Sequence, residues 1–273
     1  MAGHRKRKRA SPWRWVVGVL VVLLAMVALY VGVIVYPTPL FAHHQRIGGF
    51  RVHSDQAPAV DVEALVAEVA ERLAAFEHEP EAKTYTVYLC HSLRRYSFFA
   101  KLTRRTSASQ AIGLSAPGNI FVSMSRLAQL AADEAGLFAH SRFEGRPAFA
   151  IAHEIAHFGL IDTLGLDANR SLPAWKSEGW ADYQANLAAI RRDPNYDLAQ
   201  RIDLLDDSRY WQNPQLRARH FYAWQLLVEY LAEVRSYRFE DLSRPSVTES
   251  EIWAQMRAWR RGERPRQERS PVK

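Results

Sequence analysis

The sequence predicts an α+β protein carried behind a single long apolar helix. Three observations make that prediction. Residues 15–36 run for 22 positions without a charge. Two short segments rich in β-branched and aromatic residues follow in the first half of the remainder. From about residue 125 the apolar residues recur at helical spacing. With 273 residues, 48% of them hydrophobic and 11% aromatic, the chain suffices for one sizeable domain plus an appendage, and a wholly disordered chain is excluded.

The apolar run comes first in the chain. Arg5-Lys6-Arg7-Lys8-Arg9 precedes it, Trp13 and Trp15 mark one end and Tyr36 the other, and Pro37 and Pro39 stop the helix. About 20 such residues cross a bilayer core, with basic residues on the cytoplasmic side and amphipathic rings in the headgroup zones. A cleaved signal peptide has a shorter apolar run and a small-residue cleavage site, of which Leu40-Phe41-Ala42 is a poor version. The expectation is a basic cytoplasmic segment (1–14), a transmembrane signal anchor (15–36) and a juxtamembrane connector (37–58). The inner-membrane anchor would leave everything beyond it extracytoplasmic, hence periplasmic in a bacterium.

The formal charge of +7 divides unevenly. Residues 1–14 hold six Lys/Arg and no acid, and residues 257–273 hold seven Lys/Arg and two Glu. The segment between them, with 23 basic and 27 acidic residues, is mildly acidic, which argues against a nucleic-acid partner for the folded part. A single cysteine, Cys90, excludes an intramolecular disulfide and a thiolate metal cluster. It closes a predicted strand, and a place in the core is its expected role.

Beyond the anchor, Pro37, Pro39, Gly48, Gly49 and Pro58 punctuate an extended connector in which His43 and His44 are solvated. Val62, Leu65, Val66, Val69, Leu73 and Phe76 lie at helical spacing within 59–77. "TYTVYLC" (84–90) and "NIFVS" (119–123) read as strands. "LRRYSFFAKLTRR" (93–105) interleaves basic and aromatic residues and reads as a solvated loop, or failing that as a substrate-groove or membrane-proximal segment. Helices are expected at 125–138, 147–161, 173–191, 218–236 and 248–260. Pro147 and Pro173 stand at helix starts, and Thr248 with Glu251 forms a capping box. The folded domain spans 59–260, and the polar tail 261–273 is expected to be disordered.

The chemistry concentrates in "AFAIAHEIAHFGL" (148–160). His153 and His157, four apart on a helix, can aim two imidazoles at one ion, and Glu154 beside them can reach a water without binding the metal. Two His and a Glu in so apolar a helix are costly unless paired or ligated. A catalytic zinc takes three protein ligands and keeps one position open. Leu160 and Thr163 stand where metzincins need glycine and histidine, which excludes that class. Asp162 and His140 are outside candidates for the third ligand. The better one is Glu178 in "PAWKSEGWADYQANLAAI", with Asp182 one turn later as hydrogen-bond partner to a liganding imidazole. The plainer alternative makes both surface charges, one paired with Lys176. Gly179, expensive inside a helix, is explained if this helix closely approaches the first.

"HEIAH" followed by "SEGWAD" resembles the gluzincins, the thermolysin-like and aminopeptidase-like zinc peptidases. The resemblance is specific over 148–185 and loose over 84–236. It implies a zincin-like domain, a small mixed sheet over an active-site helix with a helical lobe. It also implies Zn²⁺ held by His153, His157 and Glu178, Glu154 as general base and Asp182 behind a ligand histidine. The sheet's edge strand, here "NIFVS", would pair with a peptide or protein substrate. Gluzincins also use a Tyr or His to stabilise the oxyanion, and Tyr222 or His220 in "RARHFYAWQLLVEYL" would serve, Tyr222 being the closer match. The acid-ending glycine-rich loop of aminopeptidase members has no counterpart, since "GLSAPGN" carries no acid. The expected function is a membrane-anchored, extracytoplasmic zinc metallopeptidase acting through a zinc-activated water. The alternative is a zincin-fold scaffold or binding protein with a structural zinc and no proteolysis.

Overall fold

The computed structural model describes residues 12–263 apart from 59, 78–83, 135–146, 207–218 and 245. Helix α1 (Pro12–Val35) is apolar beyond Arg14 and exposed along most of its length. It is long and apolar enough to cross a membrane. Residues 37–58, expected as an extended connector, instead contain a 3-10 turn at Thr38–Leu40 and a hairpin of β1 (His43–Ile47) and β2 (Phe50–Ser54). Gly48 and Gly49, which read as punctuation, form the two-residue turn, with Ile47 opposite Phe50 and Gly48 at φ +54°. β1 shows no apolar alternation because nearly all of it is exposed at the sheet edge.

The chain continues through α2 (Val62–Leu73), β3 (Tyr85–Cys90), α3 (Leu93–Leu102), β4 (Ala111–Leu114), β5 (Asn119–Ser123) and α4 (Met124–Glu134). Asp61 caps α2, its carboxylate accepting from the amides of Glu63 and Ala64 at 2.9 and 3.1 Å. Residues 93–102, expected as a solvated loop, are helical because Ser92 caps them and Tyr96, Phe99 and Ala100 bury one face.

The five strands form one mixed sheet in the order β1-β2-β3-β5-β4. β2, β3 and β5 run parallel, while the outer strands β1 and β4 pair antiparallel. "NIFVS" (β5) is therefore an interior strand with every residue buried, and β4 is the edge on that side. Period-two alternation sorts the side chains between two layers. Val87, Leu89, Ile120 and Val122 face a core shared with α2 and with α5 (Pro147–Leu164). Tyr88, Cys90 and Phe121 face the opposite layer, packing with Phe41 and with Tyr96 and Phe99 of α3. Cys90 is fully buried there, and burial, with Asp55 nearby, pushes its thiol pKa well up.

The second lobe is helical: α5, α6 (Leu166–Ser171), α7 (Ala174–Arg192), α8 (Leu198–Asp206), α9 (Arg219–Glu229), α10 (Phe239–Leu242) and α11 (Glu249–Arg260). Tyr230–Val234 extends α9 by a π turn. The capping box at α11 forms, Glu251 accepting from the Thr248 hydroxyl at 2.6 Å and its amide at 3.4 Å. α5 is apolar almost all round because it is covered on both sides. Ile151, Ile155 and Phe158 pack toward the sheet, and Leu160 joins the helical lobe. The expected helices at 125–138 and 218–236 agree with α4 and α9 where described, whereas residues 1–11 and 264–273 lie outside the described residues.

Gly179 permits a close approach, but to α9 rather than to α5. A Cβ there would stand 2.4 Å from the Trp224 carbonyl oxygen and 2.9 Å from Cγ2 of Val228. A backbone oxygen cannot swing aside, so the two helices would have to separate. Gly179→Ala should therefore destabilise the protein by about 1–3 kcal/mol, despite the better helix propensity of alanine. Thermal unfolding of the detergent-solubilised chain would register this as a lowered Tm; an unchanged Tm would mean that the helices do not touch here.

Candidate metal centre

α5 and α7 lie against each other, and their facing side chains bring three ligand atoms together. His153 Nε2 and His157 Nε2 are 3.1 Å apart. Glu178 from α7 completes a triangle, with Oε2 3.5 Å from His153 Nε2 and Oε1 3.6 Å from His157 Nε2. The spacing of four residues places the histidines one above the other on α5, and their rings meet edge to face. These three residues form a group that could hold a metal ion. An ion with four ligands at about 2.0–2.1 Å sets tetrahedral ligand atoms roughly 3.3–3.4 Å apart, in the middle of the observed range.

The surrounding hydrogen bonds set which ring nitrogens face the centre. His153 Nδ1 lies 2.8 Å from Asp182 Oδ1, and Asp182, one turn beyond Glu178 on α7, is buried. With the Nδ1–H donating to that carboxylate, Nε2 keeps its lone pair for the centre. His157 Nδ1 meets the Ser177 hydroxyl at 3.4 Å, a longer contact of the same kind. Ser177 was not singled out in the sequence. The only signal was its place directly before Glu178.

Charge balance points the same way. Burial opposes protonation of His153, but Asp182 and then Glu178 reverse this and push its pKa up to about 10. Burial would raise the pKa of Glu178, yet the two imidazoles hold it well below the usual carboxylate range. The carboxylates from α7 thus favour positive charge on this face of α5, whether a proton or a metal ion carries it.

Glu154 occupies the next position around α5 and, among the described residues, makes no hydrogen bond or ion pair. It lies between the helix and the sheet edge. A Cβ on Gly113 of β4 would come within 2.7 Å of both Glu154 Oε2 and Phe158 Cε1. Glycine at that position of the edge strand thus leaves room for the carboxylate.

The other candidates are placed elsewhere. The Tyr222 hydroxyl donates to the Arg201 carbonyl at 3.2 Å, and its ring lies under the Arg201 guanidinium. Arg201 in turn neutralises the fully buried Glu229 at 2.7 and 2.8 Å. On α9, Tyr222 is about 160° around the helix from Trp224, the residue turned toward α7. Its ring packs in the buried cluster of the helical lobe. His220 is exposed and makes its ring contacts with Phe221 and Trp224. Asp162 is exposed on α5, and His140 lies outside the described residues. Lys176 pairs with neither carboxylate of α7, since its ammonium donates to the Arg244 carbonyl at 2.7 Å.

The chain matches no protein-family model and no curated protein sequence. Its own geometry therefore carries the reading. If Asp182 orients His153 for a metal ion, Asp182→Asn should weaken metal affinity about 10–100-fold while the chain stays folded. Competition with a chromogenic chelator measures this, and unchanged affinity would remove Asp182 from the centre.

Proposed function

We propose that the protein is a zinc-dependent peptidase of the gluzincin type, anchored in a membrane by α1 with its folded domain on the extracytoplasmic side. The observation that carries this reading is the convergence of His153, His157 and Glu178 at 3.1–3.6 Å, with Glu154 beside them unpaired among the described residues and β4, the outer strand of the sheet, alongside. A cysteine-free set of two imidazoles and one carboxylate is a donor set that zinc takes in hydrolytic sites, where it leaves one position open. Bound there, zinc supplies Lewis-acid chemistry that makes water a nucleophile near neutral pH and polarises a carbonyl.

The chain's own groups account for the rest. An extended peptide adds to β4, the outer strand of the sheet among the described residues, through main-chain hydrogen bonds, which aligns one carbonyl with the centre. Glu154 then takes a proton from the attacking water as the new C–O bond forms, and delivers it to the amine nitrogen as the C–N bond breaks. Asp182 and Ser177 hold the imidazoles in place throughout. The β4–β5 turn, "GLSAPGN", offers no carboxylate for a free substrate amine, which favours cleavage within a chain over removal of its first residue. The basic residues ahead of α1 favour a cytoplasmic amino terminus.

Glu154→Gln should leave metal content unchanged and lower kcat on a broad peptide library by at least about 10²-fold, the ordinary contribution of a general base. Mass spectrometry of digests by wild type and variant, both quantified for zinc, makes the comparison. Equal cleavage by the two would refute the role of Glu154. A wild-type protein that binds zinc and cleaves nothing would favour a scaffold.

A further inference from the structure

We infer that α3 and the turn after it form a second membrane contact, seated in the lipid headgroup layer beside α1, with lipid phosphates as the partners of its basic residues. This rests on the reading of α1 as a membrane anchor. The central observation is a hydrogen bond from Tyr30 of α1 to the carbonyl oxygen of Leu102 at 2.6 Å. Leu102 ends α3, and its carbonyl is one of those a helix leaves without an internal partner. Arg14 is the last charge before the apolar run, so about 20 spanning residues counted from Trp15 reach Ile34. Tyr30 is four residues inside that limit, about 6 Å toward the membrane at the helical rise. The carboxy-terminal end of α3 is held at that depth.

The other end of α3 is tied further out. Arg95 donates to the Leu40 carbonyl at 2.7 Å, and its guanidinium lies 5.7 Å from the Phe41 ring centre. α3 therefore runs back along the end of α1 toward the membrane. Asn119 of β5 fixes the same junction, its amide donating at 3.1 Å to the carbonyls of both Ile34 and Val35. These contacts bind α1 to the folded domain at its last two turns.

The surface chemistry fits the depth. Beyond α1, the exposed large apolar side chains among the described residues are Tyr36, Leu40, Leu93, Phe98 and Leu166. All but Leu166 belong to α3 or to the segment leaving α1. Arg94, Phe98 and Lys101 follow at spacings of four and three, a single stripe along α3, and Arg105 stands in the turn beyond it. Among the described residues, Arg94, Lys101, Arg104 and Arg105 have no ion-pair partner. The turn closes with Arg104 donating to the Lys101 carbonyl at 3.1 Å and Arg105 to that of Ala100 at 2.8 Å. Arg104 stands at φ +56°, the position that helix ends ordinarily give to glycine. An exposed phenylalanine beside arginines and a lysine whose long stems can lie along apolar surface is the composition of an interfacial segment.

The test uses the full chain reconstituted in phosphatidylcholine–phosphatidylglycerol vesicles. Cys90 is fully buried, so a polarity-sensitive fluorophore can be placed on Phe98→Cys, on Lys101→Cys and, as a solvent-side control, on Asp167→Cys. Alkaline carbonate extraction is run on the same samples. The inference predicts that the protein stays with the vesicles, that emission at 98 and 101 is blue-shifted, and that shallow spin-labelled lipids quench both sites but not 167. Retained protein with labels 98 and 101 as unquenched as 167 would overturn the membrane contact and leave the anchor standing. Release by carbonate would overturn the anchor, and the inference with it.

Discussion

A carboxylate as deeply buried as Asp182, 1% exposed, holds its charge only beside a donor, and the ring N–H of His153 at 2.8 Å is such a donor. That bond crosses from α7 to α5. It fixes the orientation of the His153 ring, sets the rotation of α7, and so carries Glu178, one turn earlier, to the point where the two histidines converge. Remove the register between these helices and the two histidines remain a pair on one helix, with no third ligand. The rest of the fold serves to keep that register.

α5 meets this demand by being buried on both sides. The sheet takes Ile151, Ile155 and Phe158, while the helical lobe takes Leu160, and the face bearing His153, Glu154 and His157 is left half-buried between the layers. Two glycines regulate the spacing. Gly113 lets the edge strand lie against Glu154, and Gly179 lets α9 seat against the back of α7. α9 is stiffened by a charged cluster of its own, in which Arg201 neutralises a Glu229 whose pKa burial pushes well up. Tyr222 belongs to that cluster.

The clustering of His153, His157 and Glu178 was legible in the sequence because its signals are local. His153 and His157 are four apart, and Glu178 and Asp182 are four apart, so helical geometry alone pairs each set. Where a signal depended on the neighbour rather than the spacing, the sequence misled. The glycine pair at 48–49 is the same whether it punctuates a connector or turns a hairpin, and an exposed strand such as β1 shows no alternation. "NIFVS" is as apolar as an edge strand facing a substrate would be, but strand order depends on long-range pairing that only the fold reveals. Gly179 announced a close contact without saying with what.

The apolar helix α1 and the candidate metal centre are parts of one continuous body, since β5 holds the end of α1 and β4, its neighbour, borders Glu154. The central claim concerns the metal, and zinc K-edge absorption of the purified chain addresses it most directly. Wild type should bind about one zinc with only nitrogen and oxygen neighbours at roughly 2.0–2.1 Å, two of them imidazoles. Glu178→Ala should lose one oxygen neighbour and most of the affinity. A Glu178→Ala spectrum and affinity indistinguishable from wild type would contradict the claim that α7 completes the centre.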